Sequence, residues 1–176
     1  MIKENSTPVV ETERLRLRGH REDDFQHCVA MWSEDAVTRF TVGRQLTGEE
    51  IWLRMLRHIG HWSLLGFGYW VVEEKATGAF LGEAGMAEFH RDMEPSILGT
   101  PEAGWVFSSA AHGQGYAFEA AQAILTWGEN RFGNDRSVCL IAPENEPSLR
   151  LAAKLGYAEE VRTLFRGKDT MILGRG

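Results

Sequence analysis

The chain is short of cysteine, of proline and of long apolar runs, and each shortage closes off a class of protein. Among its 176 residues only Cys28 and Cys139 are cysteines, far apart and without metal-knuckle spacing. No disulfide framework is expected, so a reducing compartment, the cytoplasm, fits best. Cys139 lies in the apolar run Val138-Cys139-Leu140-Ile141 and reads as a small buried hydrophobe. The stretch Met1 to Pro8 is polar and lacks the apolar centre of a secretory signal. No apolar run approaches bilayer-spanning length, so no membrane partner is expected. Basic excess is also missing: 19 Lys and Arg against 25 Asp and Glu leave a net charge of −6, which argues against a general nucleic-acid binder. That acidity is compatible with an amine substrate and equally with plain solubility. With five prolines, no repeat and no Pro/Gly/Ser-rich linker, one domain over residues 1–176 is expected, with 1–9 as a flexible lead.

What is present alternates strand and helix signals. Arg14 to Arg18 places Leu15 and Leu17 at period two, a half-buried strand. Glu22-Asp23-Asp24 then supplies an acidic first turn before the helical pattern Phe25, Cys28, Val29 and Trp32. Residues 36–46 read as a loop. Thr47 and Glu50 have capping-box spacing and open a second helix marked by Ile51, Met55, Ile59 and Trp62. Two β-rich runs, 67–73 and 79–89, flank a turn containing Gly78. Residues 90–100 read as a mobile loop and Glu102 to Phe107 as a short strand. A helix over 116–130 carries Ala117, Ala120, Ala121, Ile124 and Leu125 on one close-packing face. A strand (137–142), a helix (146–155, closed by Gly156) and two strands (157–163 and 164–173) complete the chain. The reading is a mixed α/β domain with one main sheet of about seven strands and about four helices.

The most informative stretch is Ala111-His112-Gly113-Gln114-Gly115-Tyr116-Ala117, between a strand and a helix. Unpaired N–H groups at a helix mouth bind phosphate or pyrophosphate, and Gly113 and Gly115 permit close backbone approach. A plain strand–turn–helix connection would also use glycine. The stretch matches neither the triphosphate pattern G-x-x-x-x-G-K-[ST] nor a full G-x-G-x-x-G. Further on, Asn145-Glu146-Pro147-Ser148 has a capping residue and a first-turn proline ahead of Leu149 to Gly156.

Together these residues resemble the GNAT superfamily of N-acetyltransferases. His112-Gly113-Gln114-Gly115-Tyr116-Ala117 resembles its signature [Arg/Gln]-x-x-Gly-x-[Gly/Ala], with His112 departing at the first position. Asn145-x-x-Ser148 followed by Lys154-Leu155-Gly156-Tyr157 resembles its later motif. Glu102-Ala103-Gly104-Trp105 and the opening Thr12 to Arg18 with Glu22-Asp23 resemble the branch acting on ribosomal-protein N-termini. The resemblance covers roughly residues 10 to 173. It implies a mostly antiparallel, splayed sheet, acetyl-CoA as co-substrate and a primary amine as acceptor, either a protein N-terminus or a small molecule.

The resemblance also assigns roles. Main-chain amides around Gly113 to Ala117 would clasp the diphosphate of coenzyme A. Amide N–H groups near Val106 or Phe107 would polarise the thioester carbonyl. Ser148 would meet the departing sulfur, and Asn145 would hold the pantetheine arm or the acceptor. Glu102 is the first candidate for the general base, with Glu83 in reserve; a strand-edge charge facing solvent is the plainer reading of Glu102. No metal is required. The acceptor pocket would draw on the second helix and the loop 90–100, with Trp32, Phe40, Trp52, Trp62 and Trp70 as candidate linings. Exposed aromatics make a homodimer an open expectation. Two other classes stay open at this stage: a non-catalytic acetyl-CoA sensor, and a kinase-like phosphate binder, against which the missing P-loop lysine counts.

Overall fold

The computed structural model describes residues 7–176. Its elements are β1 (Val10–Glu11), β2 (Leu15–Arg18), α1 (Phe25–Ser33), α2 (Asp35–Thr38), α3 (Gly48–Leu65), β3 (Tyr69–Glu74), β4 (Phe80–Ala87), β5 (Glu102–Phe107), α4 (Tyr116–Phe132), β6 (Ser137–Ile141), α5 (Glu146–Lys154), β7 (Ala158–Phe165) and β8 (Lys168–Arg175). Eight strands form one sheet in the order β1-β2-β3-β4-β5-β6-β8-β7, antiparallel everywhere except between β5 and β6. This is the mixed α/β, mostly antiparallel fold that the sequence implies.

Two elements escape the sequence pattern. The two-residue β1 is too short to show periodicity, and α2 lies inside the stretch read as loop. Elsewhere the local chemistry decides the boundaries. Thr47 accepts the Glu50 N–H and the Glu50 side chain returns to the Thr47 N–H, a reciprocal cap that starts α3. Gly66, at φ 73°, ends it. The final two strands, read as abutting, are separated by a turn at Arg166 and Gly167, both at positive φ. Of the expected flexible lead, residues 1–6 lie outside the described residues. Pro8 is tied down, its carbonyl accepting from the Trp70 indole at 2.8 Å.

The two faces of the sheet are covered differently. On one face α4 lays Ala120, Ala121, Ile124 and Leu125 against Ala84, Met86, Ala103 and Phe107. Small residues let it sit low: a Cβ on Gly128 would stand 2.7 Å from the Met86 sulfur. The other face is covered by α1 and α3, whose Cys28, Met31, Trp32, Ile51 and Met55 form a separate apolar cluster. Buried polar groups collect on this side. Arg18 spans Asp24 through two hydrogen bonds of 2.7 and 2.8 Å and also holds Glu73. Burial alone would raise the Asp24 carboxyl, but the Arg18 guanidinium outweighs it and holds the group below its ordinary range.

Candidate active site

The site begins where the sheet fails to close. β5 pairs with β4 from end to end, yet with β6 at one position, Glu102 opposite Val138. Beyond that point the two parallel strands part. Val138 N–H donates to Pro101 O at 3.0 Å, and Ser108 N–H donates to Leu81 O at 2.9 Å. Backbone groups alternate sides along a strand, so odd-numbered residues of β5 face β6 and even-numbered ones face β4. Trp105 and Phe107 therefore turn their N–H groups into the gap. Val106 turns its own toward β4, opposite Glu83. Of the two amides expected from sequence, the alternation keeps Phe107 and exchanges Val106 for Trp105.

A helix mouth lies just past the end of β5. Gly113 and Gly115 sit at φ 74° and 79°, a left-handed conformation that a Cβ disfavours. Gly115 is the N-cap of α4, and among the described residues no side chain caps the helix. The leading N–H groups of α4 are thus left for water or an anion. A Cβ on Gly113 would meet nothing within 4 Å, so conformation, not crowding by the protein, asks for glycine there. The His112 ring bonds Phe107 O at 2.9 Å, which fastens this loop to the strand. The departure from the signature thus has a structural use.

Sequence reasoning missed what braces this mouth. Glu119, in the first turn of α4, accepts from Thr12 Oγ1 (2.6 Å), Arg14 N (2.8 Å) and Arg14 Nε (2.7 Å). Arg14 also donates to Gln114 O at 2.9 Å and lies 4.6 Å from the Tyr116 ring centroid. Over a hundred residues separate these partners, so no local pattern announces them. The acidic residue in a first helical turn is the one available signal.

On the far side of the gap, Asn145 Oδ1 accepts from Ser148 N at 3.3 Å and caps α5. Ser148 Oγ in turn accepts from the Trp105 indole at 3.3 Å. The serine thus stands across the gap from the strand whose amides open into it. The turn before α4 and the start of α5 are each tied to β5, through His112 and through Trp105.

The two candidate carboxylates lie on the opposite face. Register pairs Glu83 with Val106, Gly85 with Gly104 and Ala87 with Glu102, so these side chains share a face with Tyr69. Glu102 stands at the closed end of the gap, about 13 Å along the strand from Val106. It is 6% exposed and Arg91 grips it from Nε and Nη2 at 2.5 and 2.6 Å. Burial pushes its carboxyl up, and Arg91 offsets that only in part. Glu83 accepts from His20 (2.7 Å), Trp32 (3.3 Å) and Cys28 (3.7 Å). Burial would raise it, but the His20 bond and the neighbouring cationic groups hold it below the ordinary range. Among the described residues, His20, His58 and Glu83 bring ligand-type atoms within 4.8 Å of one another, all buried.

The aromatics divide. Trp32, Trp62 and Trp70 are core, and Trp52 is partly exposed beside Phe25. Phe40 lines an open hollow of about 410 Å³, shared with Arg39, Ala142, Glu144, Lys168 and Asp169, just past the end of β6.

Comparison with known proteins supplies a context for this geometry. The family model of the acetyltransferase (GNAT) domain matches residues 14–158. A protein of solved structure from Bordetella pertussis, assigned to the GnaT-family acetyltransferases, is 34% identical, covering 96% of this chain and 99% of its own, with a TM-score of 0.84. YkkB of Bacillus subtilis (strain 168) is 35% identical over 99 residues, a match that spans 55% of each chain. At 16% identity, where only the fold is compared, the spermidine N-acetyltransferase of Vibrio cholerae in complex with CoA and spermine covers 93% of this chain and 95% of its own, with a TM-score of 0.71. No helix among the described residues is long and apolar enough to cross a membrane.

Proposed function

Because this chain belongs to the GNAT family of acetyltransferases, we propose that it moves the acetyl group of acetyl-CoA onto a primary amine, a peptide N-terminus or a small molecule, by direct attack in a ternary complex. The observation that carries this reading is the gap between β5 and β6, closed at Glu102 and opening toward two unpaired amides and an uncapped helix. The acetyl thioester supplies the activated acyl group. The residues of this chain supply binding, orientation and proton handling.

N–H groups at the start of α4, with Gly113 and Gly115 clearing their approach, hold the diphosphate. The amide of Phe107 or that of Trp105, about 7 Å apart along the strand, points at the developing negative charge on the carbonyl oxygen and is fixed before reaction, the condition under which such a donor is most effective. Ser148 hydrogen-bonds the sulfur as it departs, and Asn145 fixes the helix that carries it. An alkylammonium has a reference pKa of about 10.4, so the acceptor must lose a proton before it attacks. About 10 Å of strand separates Glu102 from the Trp105 amide and about 17 Å from that of Phe107, so it draws that proton off through a chain of waters. Its upward shift moves a carboxyl toward the operating pH, as a general base requires. Glu83 is bound by three donors and serves as a fixed counter-charge for the neighbouring cations.

A thiol-release assay with acetyl-CoA across a panel of amines, including peptide N-termini, tests the reading. Turnover with at least one amine is expected, and Glu102→Gln should lower kcat by about 10²-fold. Turnover with none, or full activity in Glu102→Gln, would remove respectively the reaction and the assignment of the base.

A further inference from the structure

One side of α3 carries polar groups that nothing among the described residues satisfies. Arg54, His58 and His61, spaced at i, i+4 and i+7, share that side of the helix. Arg54 Nε, both ring nitrogens of His58 and Nδ1 of His61 are buried without a hydrogen-bond partner. Buried polar atoms are nearly always paired, so four such atoms on one stripe call for a missing partner. Arg57 lies one position from His58 and adds a second guanidinium.

Neither arginine has a direct ion-pair partner, and Glu83 attracts Arg54 only from beyond contact distance. Arg54 stacks 4.1 Å from the Trp32 ring centroid and Arg57 5.1 Å from that of Phe89. Among the described residues no carboxylate comes within ion-pair distance of either. The nearby carboxylates are already engaged: Glu83 by His20, Glu102 by Arg91, and Glu88 by Gly99 N–H at 2.8 Å. Burial lowers both guanidinium pKa values, with repulsion from Arg91 added at Arg54 and from Arg54 and Arg91 at Arg57, which is driven down to about 10. His58, stacked on Tyr69 at 4.7 Å, is buried and held neutral well below its ordinary value.

The stripe lies over Tyr69, on the face that carries Glu102, Gly104 and Glu83. That is the side from which the acceptor of the proposed reaction would approach, since the helix mouth and Ser148 belong to the other face. Forked guanidinium donors with neutral imidazole N–H groups suit an oxyanion, a carboxylate or a phosphate. Resting on the acetyl-transfer reading, we infer that the acceptor is a small primary amine carrying an acidic group, which Arg54 and Arg57 bind with help from His58 and His61. The acid end seats on α3 and so turns the amine end toward Glu102 and the gap.

Matched pairs of amines test this at saturating acetyl-CoA: propylamine against β-alanine, and ethanolamine against ethanolamine phosphate. In each pair the acidic member should show a kcat/KM about tenfold or more above the neutral one, as a charge-assisted hydrogen bond provides. The two pairs separate a carboxylate from a phosphate preference. Arg54→Gln and the more exposed Arg57→Gln should each bring the ratio toward one, acting through KM. A peptide pair, acidic or amidated at its second residue, should show no such ratio. Calorimetric titration of β-alanine and of ethanolamine phosphate into the protein with CoA present gives a readout independent of turnover, and heat is expected with one of them and lost in both variants. Equal kcat/KM within both pairs, or a ratio that survives both substitutions, overturns the inference and leaves acetyl transfer standing. If no amine reacts, the acetyl-transfer reading falls, and the calorimetry alone decides whether the acid seat exists.

Discussion

The two faces of the sheet solve different problems with different materials. The face under α4 is apolar and tight, and the groups proposed to act there are main-chain amides and glycines. The face under α1 and α3 buries Arg18, His20, Asp24, His58, Glu83 and Glu102, side chains drawn from five separated stretches of sequence. A backbone-built site depends on a contiguous turn and so leaves a contiguous motif. A side-chain-built site depends on register between distant strands and helices and leaves almost none. Four substitutions probe that contrast.

The largest effect is expected on the polar face. Glu83→Ala strips the acceptor from His20 and the Trp32 indole while leaving buried cationic neighbours uncompensated, so it should cost about 3–5 kcal/mol in denaturant-unfolding stability. A loss below about 1 kcal/mol would mean that the charge is not needed there. On the backbone-built face, Gly115→Ala forces a Cβ into φ 79° and should cost about 1–2 kcal/mol, read as a raised KM for acetyl-CoA together with lower stability.

His58 gives a pH signature that the apolar face cannot. Its folded pKa is lowered, so below the unfolded value, near 6.5, the unfolded chain binds a proton that the folded chain refuses. Stability should therefore fall as pH drops from about 6.5, with a slope of up to about 1.4 kcal/mol per pH unit from this group. His58→Gln should remove that component from melting curves taken across the range, and an unchanged slope would sink the assignment. The smallest effect is expected at Asn145→Ala, which loses the cap of α5 and should cost about 1 kcal/mol in unfolding.

The same contrast explains what could be read in advance. The turn from His112 to Ala117, the cap at Asn145 and the strand over Glu102 to Phe107 were legible because each is a local pattern with a local physical cause. The direction of the Val106 N–H was not, because it depends on which neighbour each edge of β5 meets. Nor was the clamp of Thr12 and Arg14 on Glu119, or the gathering of His20, His58 and Glu83, since those pairings exist only after the sheet assembles. Trp32, Trp62 and Trp70 stood among the candidate linings, although most such aromatics are core, and packing puts all three in the core.

One feature of the strand order has a consequence for how the protein is made. β8 is inserted between β6 and β7 and pairs with β6 along its whole length, from Ser137 to Ile141. A ribosome therefore releases the helix mouth, β6 and α5 well before the strand that props β6 upright. Until Arg175 has emerged, β6 lacks its neighbour on the side away from the gap, and a prematurely terminated chain should hold the coenzyme proposed for that gap more weakly than the full chain.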